Sequence, residues 1–385
     1  MKDDFTKNLG MVMVLILGLL ALVRVPDLMR QGEGRRRLKK VVAEMQNGDL
    51  NREDYDALAA GYYEGLRNDT TPTGLPEEKD DIRLRNDFLL YGFRPNLKRR
   101  YSAGMRITNS LGMPNPEYGY PKPPHTRRIA LIGDSVSVGP YGQDYEALLE
   151  DRLNQANLTP ETQRFQILNF AVYGYGVVQL MDVALEQAPK FHPDIYLVAL
   201  SQLDSNPGWA AHIARLILNG TDLKYDFLRR LVAQAGIRPT DHLPAITRKL
   251  APFKLQVTRW SLEQIRDHAA SQSARMVVIL VPVPLNPEWV AAAFDELRPA
   301  IDSVGVPVID LRDTFGSENP EGLQVDPGVD IHPNARGHEM IFENLYTKLQ
   351  AQPDAWAALI GSVGESPDQT KASSTGIGQL QRTKR

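Results

Sequence analysis

Five short runs of Val, Ile and Leu, each followed sooner or later by a stretch with helical spacing, constrain this chain more than any other feature. The runs cover 128–132, 166–171, 195–200, 276–281 and 306–309; the helical stretches cover 145–155, 178–188, 255–274, 287–304 and 335–351. None of the runs alternates apolar with polar residues. Both faces of each strand are therefore expected to be covered, which is the condition of a parallel sheet with crossover helices. The reading is an α/β fold: a three-layer, doubly wound parallel sheet. Ligands of such sheets sit at the carboxyl ends of the strands, so the residues just after each run are where chemistry is sought.

Gly133-Asp134-Ser135-Val136-Ser137-Val138-Gly139 follows the first run. A serine on a tight turn between strand and helix exposes its hydroxyl, and the loop amides nearby point at whatever binds there. The same tripeptide also serves as an ordinary turn. Asn169-Phe170-Ala171-Val172-Tyr173-Gly174-Tyr175-Gly176 follows the second run, and Gly174 offers an unobstructed N–H to an oxyanion. The third run leads into Ser201-Gln202-Leu203-Asp204-Ser205-Asn206, polar where a third donor would stand. Near the end lies Asp330-Ile331-His332-Pro333-Asn334, read as a loop before the last helix. It supplies an imidazole with a carboxylate close enough to set its tautomer, which is what a serine nucleophile lacks.

Taken in order, these blocks resemble the SGNH hydrolase family, also called GDSL esterases and lipases, over residues 95–350. The resemblance implies a flavodoxin-like SGNH fold. It implies Ser135 as nucleophile with its own amide as one oxyanion donor, Gly174 as the second donor, His332 as base and Asp330 as its orienter. Thr108-Asn109-Ser110-Leu111-Gly112-Met113, Pro116-Glu117-Tyr118 and Lys122-Pro123 resemble the lead-in of membrane-anchored bacterial members. Two departures stand out. The family's third block ends Gly-x-Asn-Asp with the Asn as donor, but Leu203 occupies that register, leaving Gln202 or Asn206 to replace it. The family's last block is spaced Asp-x-x-His, but Val329 holds that position; Asp330 is taken as the orienter, with Asp326 in reserve.

The flanks are read from composition. Residues 9–23 carry no charge, and as a helix they span about 22 Å, short of a bilayer core of about 30 Å. Continuing to Met29, with Arg24 snorkelling to the headgroups, reaches the needed length. The expectation is an anchor with a basic flank at 1–34, a helical stalk and linker at 35–76, the hydrolase-like domain at 77–360 and a disordered tail at 361–385. Within the domain, 77–126 is a lead-in. Residues 207–244 carry two amphipathic helices, read either as packing onto the domain or as a cap over the nucleophile. The basic residues after residue 23 favour a cytoplasmic domain by the positive-inside rule, whereas membrane-tethered relatives point to the envelope side, which is the side adopted here.

With 44 Lys and Arg against 47 Asp and Glu, no global basic surface exists for a nucleic acid. The absence of Cys removes thiolate nucleophiles, disulfides and Cys-ligated metals. No His, Asp or Glu group has zinc spacing and no phosphate-binding Gly-Lys loop occurs, so neither metal nor cofactor is expected. His125, His192, His212, His242 and His268 are read as surface or packing residues, and His338 as a support of the site loop. The expected activity is cleavage of carboxylic esters through an acyl-enzyme. An O-acyltransferase of envelope glycans, or a catalytically silent tethered scaffold, shares the same fold.

Overall fold

The computed structural model describes residues 81–361 apart from 102, 103, 157, 159–161, 163 and 317. The expected anchor, the expected stalk and linker and, but for Gly361, the expected tail lie outside these residues. Among the described residues no helix is long and apolar enough to cross a membrane.

Two small antiparallel hairpins come first among the described residues: β1 (Ile82–Leu84) with β2 (Tyr91–Phe93), and β3 (Lys98–Tyr101) with β4 (Gly104–Ile107). Then come β5 (Thr126–Ile132), α1 (Tyr145–Gln155), β6 (Arg164–Asn169), α2 (Val177–Glu186) and β7 (Ile195–Ser201). The helices α3 (Gly208–Leu218), α4 (Asp226–Gln234), α5 (Leu243–Leu250) and α6 (Lys254–Ser271) lead to β8 (Arg275–Val281), α7 (Pro287–Asp302) and β9 (Val308–Asp310). A last hairpin of β10 (Gln324–Asp326) and β11 (Asp330–Pro333) precedes α8 (Ala335–Ala351) and α9 (Pro353–Ile360).

Five strands form the parallel sheet in the order β6-β5-β7-β8-β9. In sequence terms this is the order 2-1-3-4-5 of a flavodoxin-like doubly wound sheet, whose switch point lies where the chain reverses direction across the sheet. Here that point falls between β5 and β7. Ile129, Leu131, Leu197, Val198, Val277 and Ile279 have no exposed surface, as strands covered on both sides require. α2 packs on α6 and α6 on α7, while α8 packs on α1, giving a helical layer on each face.

The helix starts follow local chemistry. Asp144 caps α1 by accepting from the Ala147 amide, Asn286 caps α7 by accepting from the Glu288 and Trp289 amides, and Asn334 caps α8 through the Gly337 amide. The two helices read in 207–244 are α3 and α4, while α5 continues past that range. The contacts of this segment run to the outer helices. Lys224 and Tyr225 both donate to Asp182 of α2 at 2.6 Å, and Phe227 stacks on Trp260 of α6 with centroids 4.3 Å apart. These contacts fit packing onto the domain, and none of them is with Ser135.

Candidate active site

The turn after β5 is a single 3-10 turn, Ser135–Ser137, capped by Asp134. Asp134 accepts from the Val136 amide at 2.9 Å and, with its other oxygen, from the Ser201 hydroxyl at 2.7 Å. One carboxylate therefore ties the ends of β5 and β7 together across the switch point. Ser201 in turn accepts from the Leu203 amide, and its own amide donates to Asp204 at 2.9 Å. Burial pushes Asp134 and Asp204 above the usual carboxylate range, and at Asp204 the Asp134 charge adds to the rise.

His332 reaches this turn from the other side. Its Nε2 lies 2.7 Å from Ser135 Oγ and its Nδ1 lies 2.6 Å from Asp330 Oδ1; the same oxygen accepts from the His332 amide at 3.1 Å. Burial works against the imidazolium, but the charge and hydrogen bond of Asp330 outweigh it, with Asp134 adding to them, and the His332 pKa ends above the ordinary imidazole value. Burial likewise opposes the Asp330 carboxylate, yet His332 and Arg106 hold its pKa below the usual range. The structure thus joins Ser135, His332 and Asp330 in one hydrogen-bonded chain. Asp326 instead lies opposite Asp330 across the hairpin, in register with it.

The loop that bears His332 differs from the expectation. Residues 330–333 form a strand paired with β10, and the turn between them uses Gly328 at φ +66°. Gln324 fastens the hairpin by accepting from the Gly328 amide and donating to Pro284 O, both at 2.8 Å. Both strands are too short and polar to show an apolar alternation, which is why the sequence reads as loop.

Gly174 has φ +66°, a conformation that other residues adopt only with strain. Its neighbours are anchored by β2: the Tyr91 hydroxyl donates to Tyr173 O at 2.9 Å, and the Tyr175 hydroxyl donates to Tyr91 O at 2.6 Å. Asn169, at the end of β6, donates to Ser137 O at 2.7 Å and so joins the second strand end to the serine turn. His338 is fully buried, stacked on Tyr145 and set against Gly139, where a Cβ would lie 2.6 Å from the imidazole. Burial, with the charges of a protonated His332 and of Arg106, lowers its pKa to about 3, so it is a neutral packing group supporting the end of the serine turn.

Gln202 and Asn206 stand on the 3-10 turn after β7 and at its end. Gln202 accepts from the Val283 amide at 3.1 Å, which leaves its buried Nε2 without a partner. Both polar atoms of the Asn206 side chain are buried and unpartnered. No hydrogen bond connects either residue to Ser135. Leu203 fills the position between them with an apolar side chain.

The lead-in motif does structural work. Asn109 accepts from the Leu111 and Met113 amides, and Thr108 donates to Arg94 O. Asn115 accepts from the Asn169 amide and donates to Ile167 O, stitching the lead-in to β6. The sequence reading missed Arg106 of β4, which is buried beside the site with its guanidinium 4.6 Å from the Tyr173 ring centroid. Its only local signal is a cation in a short segment that also carries Tyr101. Among the described residues no group of three or more His, Asp or Glu is placed to hold a metal ion.

Residues 131–340, more than half of the chain, match the GDSL-like Lipase/Acylhydrolase family, and the chain belongs to that family of hydrolases. The fold is accordingly the α/β SGNH hydrolase fold with its parallel sheet. Similar solved structures include the psychrotrophic esterase EstA from Pseudoalteromonas sp., inhibited by monoethylphosphonate, at 12% identity, 58% coverage of this chain, 97% of that one and TM-score 0.36. A catalytic mutant of Axe2, an acetylxylan esterase from Geobacillus stearothermophilus, gives 14%, 58%, 94% and 0.38. LAE5, an alpha/beta hydrolase enzyme from the metagenome of Lake Arreo, Spain, gives 17%, 58%, 95% and 0.39. No curated protein matches the chain.

Proposed function

We propose that this protein is a serine esterase that cleaves carboxylic esters through Ser135, His332 and Asp330. The observation that carries the reading is the unbroken chain from Ser135 Oγ through both nitrogens of His332 to Asp330, with separations of 2.7 and 2.6 Å. As Ser135 Oγ bonds to the ester carbon, His332 Nε2 takes its proton. Asp330 keeps Nδ1 protonated and stabilises the imidazolium. The amides of Ser135 and Gly174 receive the oxyanion. Gln202 or Asn206 supplies a third donor in place of the missing Asn, and the unspent N–H groups on both support this role. His332 then returns the proton to the departing alkoxide, and water releases the acid from the acyl-enzyme by the same steps.

The reading also places the chain at a membrane through residues 9–23, with the domain on the envelope side and no nucleic-acid partner. The test of the activity is hydrolysis of 4-nitrophenyl acetate by the purified chain, followed with and without oligosaccharide acceptors. Acetate release that is lost in Ser135→Ala supports the esterase. Acetate that appears only on the sugar, and only with acceptor present, makes the protein an O-acyltransferase instead. Silence in both arms leaves the scaffold.

A further inference from the structure

Arg106 is buried with 9% of its surface exposed, and no acceptor reaches its Nε or Nη1. Its Cζ lies 4.6, 5.4 and 5.7 Å from the ring centroids of Tyr173, Tyr101 and Phe93, so aromatic faces surround the cation. Tyr173 immediately precedes Gly174. The hairpin that carries Arg106 is fixed to the stretch after the serine turn, because Met105 O accepts from the Tyr141 amide at 2.9 Å and Gly104 sits against Pro140. The guanidinium thus lies against Tyr173, the residue before Gly174, and its charge is felt at His332 and Asp330.

A cation buried with unspent donors is costly, and a fold that keeps one without a use pays for nothing in return. The carboxylates that act on it, Asp81, Asp144 and Asp330, do so through space rather than by hydrogen bond, and His332 and His338 are the imidazoles that feel its charge. Across the hairpin, Arg99 is its direct partner in register, and Arg99 Cζ approaches the same Tyr101 ring at 5.5 Å. Lys98 and Arg100 on the same strand are exposed, which adds to the positive field at this edge.

We propose that Arg106 is a specificity residue that receives an oxoanion, a carboxylate or a phosphate, carried by the ester substrate close to its scissile bond. This rests on the reading of Ser135 as nucleophile. The preferred substrates are then acyl esters of acidic alcohols rather than neutral ones.

The experiment measures kcat/KM of the full-length purified chain on three acetates: methyl 4-acetoxybenzoate, 4-acetoxybenzoate and 4-acetoxyphenyl phosphate. In Arg106→Gln the two anionic acetates lose on the order of tenfold more than the neutral one, mainly through KM, and Arg106→Lys recovers part of the difference. Raising salt narrows the wild-type difference. Whichever anionic acetate is more affected tells carboxylate from phosphate. An equal loss on all three esters, measured on the pH plateau above the acid limb, would mean that Arg106 only tunes His332 and Asp330, and the inference falls. If Arg106→Gln fails to fold, Arg106→Lys and the salt series decide alone. Should no ester be turned over by the wild type, the reading of Ser135 fails; titration of 4-hydroxybenzoate into wild type and Arg106→Lys then decides the anion site, and equal or absent binding overturns it.

Discussion

The turns after β5 and β7 are built alike, yet they treat their polar groups differently. Each is a short 3-10 turn capped by a side chain, Asp134 in one and Ser201 in the other, and the two caps are bonded to each other. Around Ser135 the hydroxyl and both imidazole nitrogens of its neighbour are engaged. After β7, Gln202 keeps its side-chain NH2 and Asn206 its whole amide unspent in buried surroundings. A buried donor without a partner costs about 1–3 kcal/mol, so such groups persist where something else meets them. On the proposed reading, the first turn carries a nucleophile already bonded to its base, and the second holds donors that a bound oxyanion would complete.

The largest effect should come from breaking the first turn. Ser135→Ala and His332→Ala should each lower ester kcat by about 10⁴–10⁶, and the double mutant should be no worse, because triad members act as a unit. The thermal midpoint should stay within a few degrees. Asp330→Asn should cost about 10³–10⁴. The second turn should respond less. One of Gln202→Ala and Asn206→Ala should cost about 10²–10³ in kcat with KM little changed, as removal of a single oxyanion donor does. If both are silent, the two backbone amides suffice and the comparison between the turns fails.

The pH dependence sharpens the same contrast. His332 must be neutral to accept the serine proton, and its pKa is raised, so kcat/KM should fall as pH drops with a midpoint above the ordinary imidazole value of about 6.5. Asp330→Asn removes the main cause of the rise while burial remains, so the residual activity should carry its acid limb to lower pH. A profile that does not move would separate Asp330 from the base. The smallest effect is expected of Asp326→Asn, under about twofold, because Asp326 faces Asp330 across the hairpin and it is the Asp330 carboxylate that bonds His332 Nδ1.

Where long apolar runs decide the structure, reading the chain was enough. β5, β6, β7, β8 and β9 lie where their runs lie, with ends displaced by one or two residues, and α1 and α8 match end to end. The β1–β4 hairpins were not legible. Their strands are three or four residues long, and β3 carries Lys98, Arg99 and Arg100 in a row, which hides any alternation. The short α5 and α9 were missed for a similar reason: two turns are too few to establish a period. Ser135 and Gly174 could be sought where they are because they follow β5 and β6 at the carboxyl edge of the doubly wound sheet, whereas Asp330 and His332 stand on the β10–β11 hairpin outside that sheet and were legible only through their motif. Arg106 was not, because its place beside Tyr173 depends on how a hairpin outside the sheet folds back, and no local pattern encodes that.

The central claim is that Ser135 is an activated nucleophile, and labelling with a fluorophosphonate tests it without knowledge of the natural ester. The full-length chain should take up one phosphonyl group, mapped by peptide mass to Ser135, and labelling should fall to background in Ser135→Ala and by several orders of magnitude in His332→Ala. Equal labelling of wild type and Ser135→Ala, or none at all in a folded wild-type protein, would contradict the account.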